Sequence, residues 1–172
     1  MIRLHKFNLS LVLLLITSLG CPGFAFNSFL VQKCKEMHGQ IVNHWTCPYS
    51  GDERNDMHCV IRDNESRPMY FNGCSYSYGN YGEVFFQACV YHDLCYHHEP
   101  VSSGLKKEDC DSRFYNNMFA ICDRRPKDTG CADAARWFYS AVASFGGTPW
   151  ICSKEKANYP HAYVAFALSR RQ

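Results

Sequence analysis

The chain has 172 residues, enough for one domain with its own core and too few for several. A hydrophobic content of 47% argues against disorder, and a formal charge of +2 gives no support to a nucleic-acid or strongly anionic partner. The 11 cysteines argue against a reducing compartment and for a disulfide framework.

The first 25 residues read as a secretory signal peptide: Arg3 and Lys6 form a charged start, Leu9 to Leu19 an apolar run, and Gly23-Phe24-Ala25 offers small residues for cleavage. The run is shorter than the roughly 20 residues a membrane span needs, and no later stretch supplies one. A transmembrane anchor is therefore not expected. Cleavage after Ala25 removes Cys21 and leaves an even number of cysteines, as a secreted protein prefers. A lipoprotein carrying its lipid on Cys21 is the weaker reading, because Ser18 stands where a leucine is expected. Cleavage also removes two basic residues and no acidic ones, which leaves 16 of each sign. Contact with a membrane would then depend on aromatic and apolar side chains.

From Phe26 to Tyr70 the signals are short. Phe29-Leu30-Val31 with Cys34 and Met37 suggests a short helix that Gly39 ends. Ile41 to Thr46 is strand-like, and Ser50-Gly51-Asp52 reads as a turn. Asn64-Glu65-Ser66 is a glycosylation acceptor if the source is eukaryotic. Asn72 to Gly82 is polar, aromatic and aperiodic, which predicts a loop. Glu83 to His98 carries Val84, Phe85, Ala88, Tyr91 and Cys95 at helical steps and is expected to break at Glu99-Pro100 and Ser102-Ser103-Gly104. A second helix from about Leu105 to Cys122 has Phe114, Met118 and Ile121 on its apolar face. The short break makes the two helices antiparallel neighbours, with Cys95 and Cys110 facing each other. A charged turn, Arg124 to Gly130, precedes a third helix from Cys131 to Phe145, which Gly146-Gly147 and Pro149 stop. The aromatic stretch from Tyr159 to Phe166 is expected to pack on the core.

The chemistry concentrates in Cys89-Val90-Tyr91-His92-Asp93-Leu94-Cys95-Tyr96. On a helix, residues three and four apart share a face, so Cys89, His92 and Tyr96 form one stripe. Asp93 points a quarter-turn away. One histidine and one carboxylate could thus serve a single site from adjacent faces as base and metal ligand. An isolated His-Asp pair is commonly solvated or structural, so the dipeptide alone would not establish a site.

The pattern Cys-x-x-His-Asp-x-Cys-Tyr resembles the active-site helix of the secreted phospholipases A2. Asn72-Gly73-Cys74-Ser75, then Phe85 to Cys89, looks like the calcium loop of the bacterial and fungal branch. Cys110-Asp111-Ser112-Arg113-Phe114-Tyr115 and Trp137 to Val142 resemble its later helices. The resemblance spans about half the chain, Asn72 to Gly147. It implies a mainly α, disulfide-rich fold with two antiparallel core helices carrying the active site, plus a third. Residues 26–172 form one such domain: a disulfide-linked region 26–70, a catalytic core 71–147 and a C-terminal extension 148–172.

The resemblance also implies roles. His92 is the base, Asp111 accepts its hydrogen bond, and Tyr96 supports Asp111. Residue types alone do not choose among Glu108, Asp109 and Asp111; the half-cystine Cys110 singles out Asp111. Asp93, the Asn72 side chain and the Gly73 carbonyl would hold Ca2+, an ion that takes about six to eight oxygens. Asn72 stands where the relatives usually carry Asp, which removes one charge. The loop is also about one residue shorter. Ser75 could supply a backbone N–H to an oxyanion. The implied disulfides are Cys74–Cys89, Cys122–Cys131 and Cys95–Cys110, leaving Cys34, Cys47, Cys59 and Cys152 with three possible connectivities.

The implied activity is calcium-dependent hydrolysis of the sn-2 ester of glycerophospholipids at a membrane or micelle surface by a secreted enzyme. No Gly-x-Ser-x-Gly elbow suggests a serine hydrolase instead. Two rivals exist. One is a catalytically silent toxin or binding protein on the same scaffold. The other is a zinc site from His92, His97 and His98, disfavoured because adjacent histidines cannot both face one ion from a regular helix.

Overall fold

The computed structural model describes residues 22–46, 53–54, 57–62, 68–75 and 78–153. Its elements follow in the order α1 (Pro22–Glu36), β1 (Gln40–Val42), β2 (Trp45–Thr46), β3 (Glu53–Arg54), β4 (His58–Arg62), β5 (Pro68–Phe71), α2 (Tyr81–Val84), α3 (Phe86–Ser103), α4 (Lys107–Asp123), α5 (Cys131–Phe145) and α6 (Gly147–Ser153). The mainly helical, disulfide-rich fold with a small sheet agrees with the expected architecture. Residues 1–21 of the expected signal peptide lie outside the described residues, as do Cys47, the 50–52 turn, Asn64 and the 159–166 stretch. The side chain of Cys152 is likewise not described. No described helix is long and apolar enough to cross a membrane.

Helix α3 is the centre, and its sequence explains why. Phe86, Val90 and Leu94 recur every four residues and are buried with Leu30 and Cys34 of α1 and with Cys59, Ile61, Met69 and Phe71 of the sheet. A second stripe, Ala88 and Cys89, joins Phe85, Phe114, Met118, Ala134, Ala135 and Phe138 in another core. A helix apolar on two faces must be covered on both. The sheet order is β1-β4-β5, all antiparallel, with Cys59 opposite Phe71 and Ile61 opposite Met69. The period-two alternation of strands puts these four side chains on the face toward α3.

Partner pairs fix the helix directions. His92 meets Asp111 and Cys95 meets Cys110, so α3 and α4 are antiparallel. Cys122 meets Cys131 and Tyr115 meets Tyr139, so α4 and α5 are antiparallel too. All three disulfides implied by resemblance are present: Cys74–Cys89, Cys95–Cys110 and Cys122–Cys131. Cys34–Cys59 adds a fourth, tying α1 to β4.

Three boundaries differ from expectation. The first core helix is interrupted at Phe85 (φ −94°, ψ 5°), whose fully buried ring meets Phe138 edge-on, centroids 5.6 Å apart. Its far end passes Pro100 and stops at Gly104, which takes the left-handed conformation (φ 67°) that glycine adopts without a Cβ clash. Pro149 sits in the first turn of α6 rather than ending α5; a proline there forfeits no intrahelical hydrogen bond.

Helix α1 ends as expected near Gly39, but for a different reason. The left-handed residue is His38 (φ 55°). His38 N–H donates to the Lys35 carbonyl at 3.0 Å and Gly39 N–H to the Cys34 carbonyl at 2.8 Å, the paired bonds of a Schellman end. Gly39 is needed for room. A Cβ there would lie 2.6 Å from Cys59 Sγ, 2.7 Å from Cys34 Sγ and 2.9 Å from Ile61 Cγ2.

Candidate active site

His92 and Asp93 leave α3 on adjacent faces and meet different partners. His92 is buried against α4, its ring 4.7 Å from that of Phe114 and 4.2 Å from that of Tyr96. His92 Nε2 lies 2.8 Å from Asp111 Oδ1, and Tyr96 Oη donates to the same oxygen at 2.7 Å. Lys107 Nζ takes the other oxygen, Oδ2, at 2.6 Å. The three carboxylates at the start of α4 thus separate. Glu108 and Asp109 are exposed, and Asp109 accepts the Lys106 backbone N–H at 2.8 Å as a helix cap, whereas Asp111 is buried.

Charge states follow from this packing. Burial alone would raise the Asp111 carboxyl, but hydrogen bonds from His92, Lys107 and Tyr96 outweigh it and hold it below the usual range. Burial pushes His92 the other way, below the ordinary imidazole value, although Asp111 pulls it up; Lys107 adds to the lowering. Burial, then the bond to Asp111, raises the Tyr96 hydroxyl, so it stays protonated. An ionised carboxylate can only accept, so His92 carries its proton on Nε2 and its lone pair on Nδ1. That is the tautomer a general base requires.

Asp93 turns toward the loop after β5. Its Oδ2 accepts the backbone N–H groups of Asn72 and Gly73, each at 2.9 Å. Gly73 has φ 74°, a left-handed turn that lets two successive amides aim at one oxygen. Loss of hydration pushes the Asp93 carboxyl up to about 7, against the pull of those amides. Such a group lacks compensating charge, which a hard cation would supply. Asp93, the Asn72 amide oxygen and the Gly73 carbonyl are all oxygen donors and suit calcium in kind, with one negative charge among them. Ser75, exposed at the loop, donates its hydroxyl to Asn72 Oδ1 at 3.1 Å.

His92 and His97 diverge, and the side chain of His98 lies outside the described residues. His97 lies on another face of α3, its ring 6.3 Å from that of His58 and 5.8 Å from that of Tyr70. Among the described residues no three His, Cys, Asp or Glu side chains cluster as metal ligands.

Two contacts escaped the sequence reading. Lys107 stands four residues before Asp111, a spacing that could have identified it. Tyr81 Oη donates to Asp128 Oδ1 at 2.5 Å, tying the end of the loop to the turn between α4 and α5. This pair is 47 residues apart, and no local signal marks it.

No protein-family model matches the chain, and no solved structure matches it. A stretch of 48 residues is 40% identical to the Conodipine-M alpha chain of Conus magus. The match covers 28% of this chain and 61% of that one, so the chain spans less than two thirds of that relative.

Proposed function

We propose that the chain is a secreted, calcium-dependent phospholipase A2-type hydrolase that cleaves the sn-2 ester of glycerophospholipids at a membrane or micelle surface. The observation that carries this reading is the buried His92–Asp111 pair, which leaves Nδ1 of a neutral imidazole as base while Asp93 is presented on the adjacent face. The partial match to the Conodipine-M alpha chain supports the superfamily. Placement in the bacterial and fungal branch rests on the resemblance of the stretch from Asn72 to Cys89 and of the later helices.

In this reaction His92 Nδ1 takes a proton from water as the water oxygen attacks the ester carbonyl. Asp111 stabilises the imidazolium through Nε2–H, and Tyr96 donates to the same carboxylate oxygen. His92 then gives the proton to the departing glycerol oxygen, releasing fatty acid and lysophospholipid. Calcium held by Asp93 and the oxygens of Asn72 and Gly73 would supply positive charge for the ester carbonyl and the phosphate. The Ser75 backbone N–H is a second candidate donor to the oxyanion. The described disulfides suit an oxidising compartment, which supports secretion.

A silent scaffold that serves as a toxin or binding protein is the second reading; the neutral Asn72 at a ligand position favours it. The test is fatty acid release from phosphatidylcholine vesicles with calcium or with chelator, for wild type and His92→Gln. Calcium-dependent release lost in the variant supports the enzyme. No release from folded, oxidised protein sinks it.

A further inference from the structure

Lys107 is the charged group whose presence the reaction above does not by itself require. Its ammonium bridges two elements, 2.6 Å from Asp111 Oδ2 on its own helix and 3.4 Å from the Ala143 carbonyl in the last turn of α5. Helix C-terminal carbonyls carry partial negative charge and favour a cation there. The side chain is 14% exposed and Asp111 4%. Stability alone does not account for such a pair, because a packed apolar isostere usually serves as well as a buried ion pair.

The corner between α5 and α6 is shaped around this side chain. Gly146 has φ −71°, which any residue can adopt, so space rather than backbone conformation selects glycine there. A Cβ at Gly146 would instead lie 2.7 Å from Tyr96 Oη and 3.1 Å from Lys107 Cε, and would overlap the Val142 carbonyl. The missing side chain makes room for both groups that bind Asp111 beside His92.

We propose that Lys107 is a positioning residue for the His92–Asp111 pair: clamped between Asp111 Oδ2 and the end of α5, it stops the carboxylate from rotating, so that Oδ1 stays aimed at His92 and Tyr96. A carboxylate with donors on one oxygen alone could swing its plane about that oxygen and loosen the bond to His92. With three donors divided between two oxygens, the plane of the group is fixed. The proposal rests on the hydrolase reading for its effect on rate but not for its effect on geometry.

Lys107→Met keeps the stem and removes the ammonium. Lys107→Gln retains a neutral donor for Oδ2 and stands in if the methionine variant does not fold. On phosphatidylcholine vesicles with calcium, Lys107→Met should lower kcat about tenfold with KM changed by less than about twofold, the scale seen when an outer partner of a site residue is lost. Lys107→Gln should recover part of that loss. The His92 ring N–H proton, followed in 15N-histidine-labelled protein, should shift in the methionine variant, because its resonance reports the bond to Asp111. A purely structural role would lower the melting temperature and leave both readouts alone. An unmoved ring proton overturns the proposal whatever the rate does. If the wild type itself releases no fatty acid, the hydrolase reading fails, and the ring proton alone decides on Lys107.

Discussion

Replacing Asp111 by Asn tests the site most severely, because an amide cannot satisfy the three donors that converge there. If the amide oxygen takes the place of Oδ1, it still accepts from His92 and Tyr96, but the NH2 group then faces Lys107 Nζ across 2.6 Å, donor against donor. If the amide flips, the NH2 faces His92 Nε2, and the imidazole must move its proton to Nδ1 and lose its function as base. Either way a mostly buried ammonium loses its counter-charge. Removing one partner of a buried pair costs about 3–5 kcal/mol, and the lower end applies because Lys107 is partly exposed and keeps the Ala143 carbonyl. For a domain of this size about 3 kcal/mol corresponds to a melting point lower by roughly 10 °C. Hydrolysis should fall by roughly a thousandfold, within the range for loss of a positioned acid–base group. Differential scanning calorimetry with disulfides intact and fatty acid release from vesicles measure the two effects. A folded Asp111→Asn protein melting within about 3 °C of wild type would refute the electrostatic reasoning. A rate within about threefold would refute the dyad itself.

Further outcomes follow from other parts of the molecule. Gly39→Ala should cost about 3 kcal/mol, since the new methyl meets a disulfide that cannot step aside, while His38→Gly should gain about 0.5–1 kcal/mol by relieving a left-handed residue; urea unfolding decides, and the reverse order would show that conformation rather than space selects glycine at 39. Calcium should raise the melting temperature at pH 8 and do so progressively less below pH 7. Asp93 must be ionised to bind, and its folded pKa of about 7 lies above the ordinary 3.8, so the metal-free fold holds that proton throughout the window between them; a calcium effect constant from pH 8 to 5 would count against Asp93 as ligand. Asn72→Asp should tighten calcium binding by about tenfold through the added ligand charge, as measured by calorimetric titration, and an unchanged affinity would remove Asn72 from the ligand set.

What could be read in the chain was what local spacing encodes. Phe114 and Met118 on one face of α4, the bounds of α5 and the divergence of His92 from Asp93 follow from helical periodicity, and the structure reproduces them. The disulfides around the site came from resemblance, whereas Cys34–Cys59 was one of several open pairings among four cysteines. The misjudged features depend on neighbours distant in sequence. Phe85 interrupts a helix where its ring is buried against Phe138, and Gly39 is required by a sulfur contributed from β4. The spacing of Lys107 to Asp111 is local and legible, but its second contact, with the Ala143 carbonyl of α5, is 36 residues away and only the fold supplies it.

If the chain is the hydrolase proposed above, the disulfides on either side of His92 and Asp93 tie its competence to compartment. Cys74–Cys89 and Cys95–Cys110 each close a span of 15 residues, one anchoring the loop that reaches Asp93 and the other pinning α3 to α4. A closure of that length is worth about 3 kcal/mol in chain entropy, so the two together represent about 6 kcal/mol. That is comparable to the whole margin, about 5–15 kcal/mol, by which a domain of this kind stays folded. A copy retained among cellular thiols would therefore lose the covalent anchor of that loop and keep the two amide hydrogen bonds to Asp93, the packing of β5 on α3 and the Tyr81–Asp128 contact. On the proposed reading of a secreted hydrolase, the producing cell's own bilayers would meet a site short of two of its covalent ties, and oxidation on export would complete it.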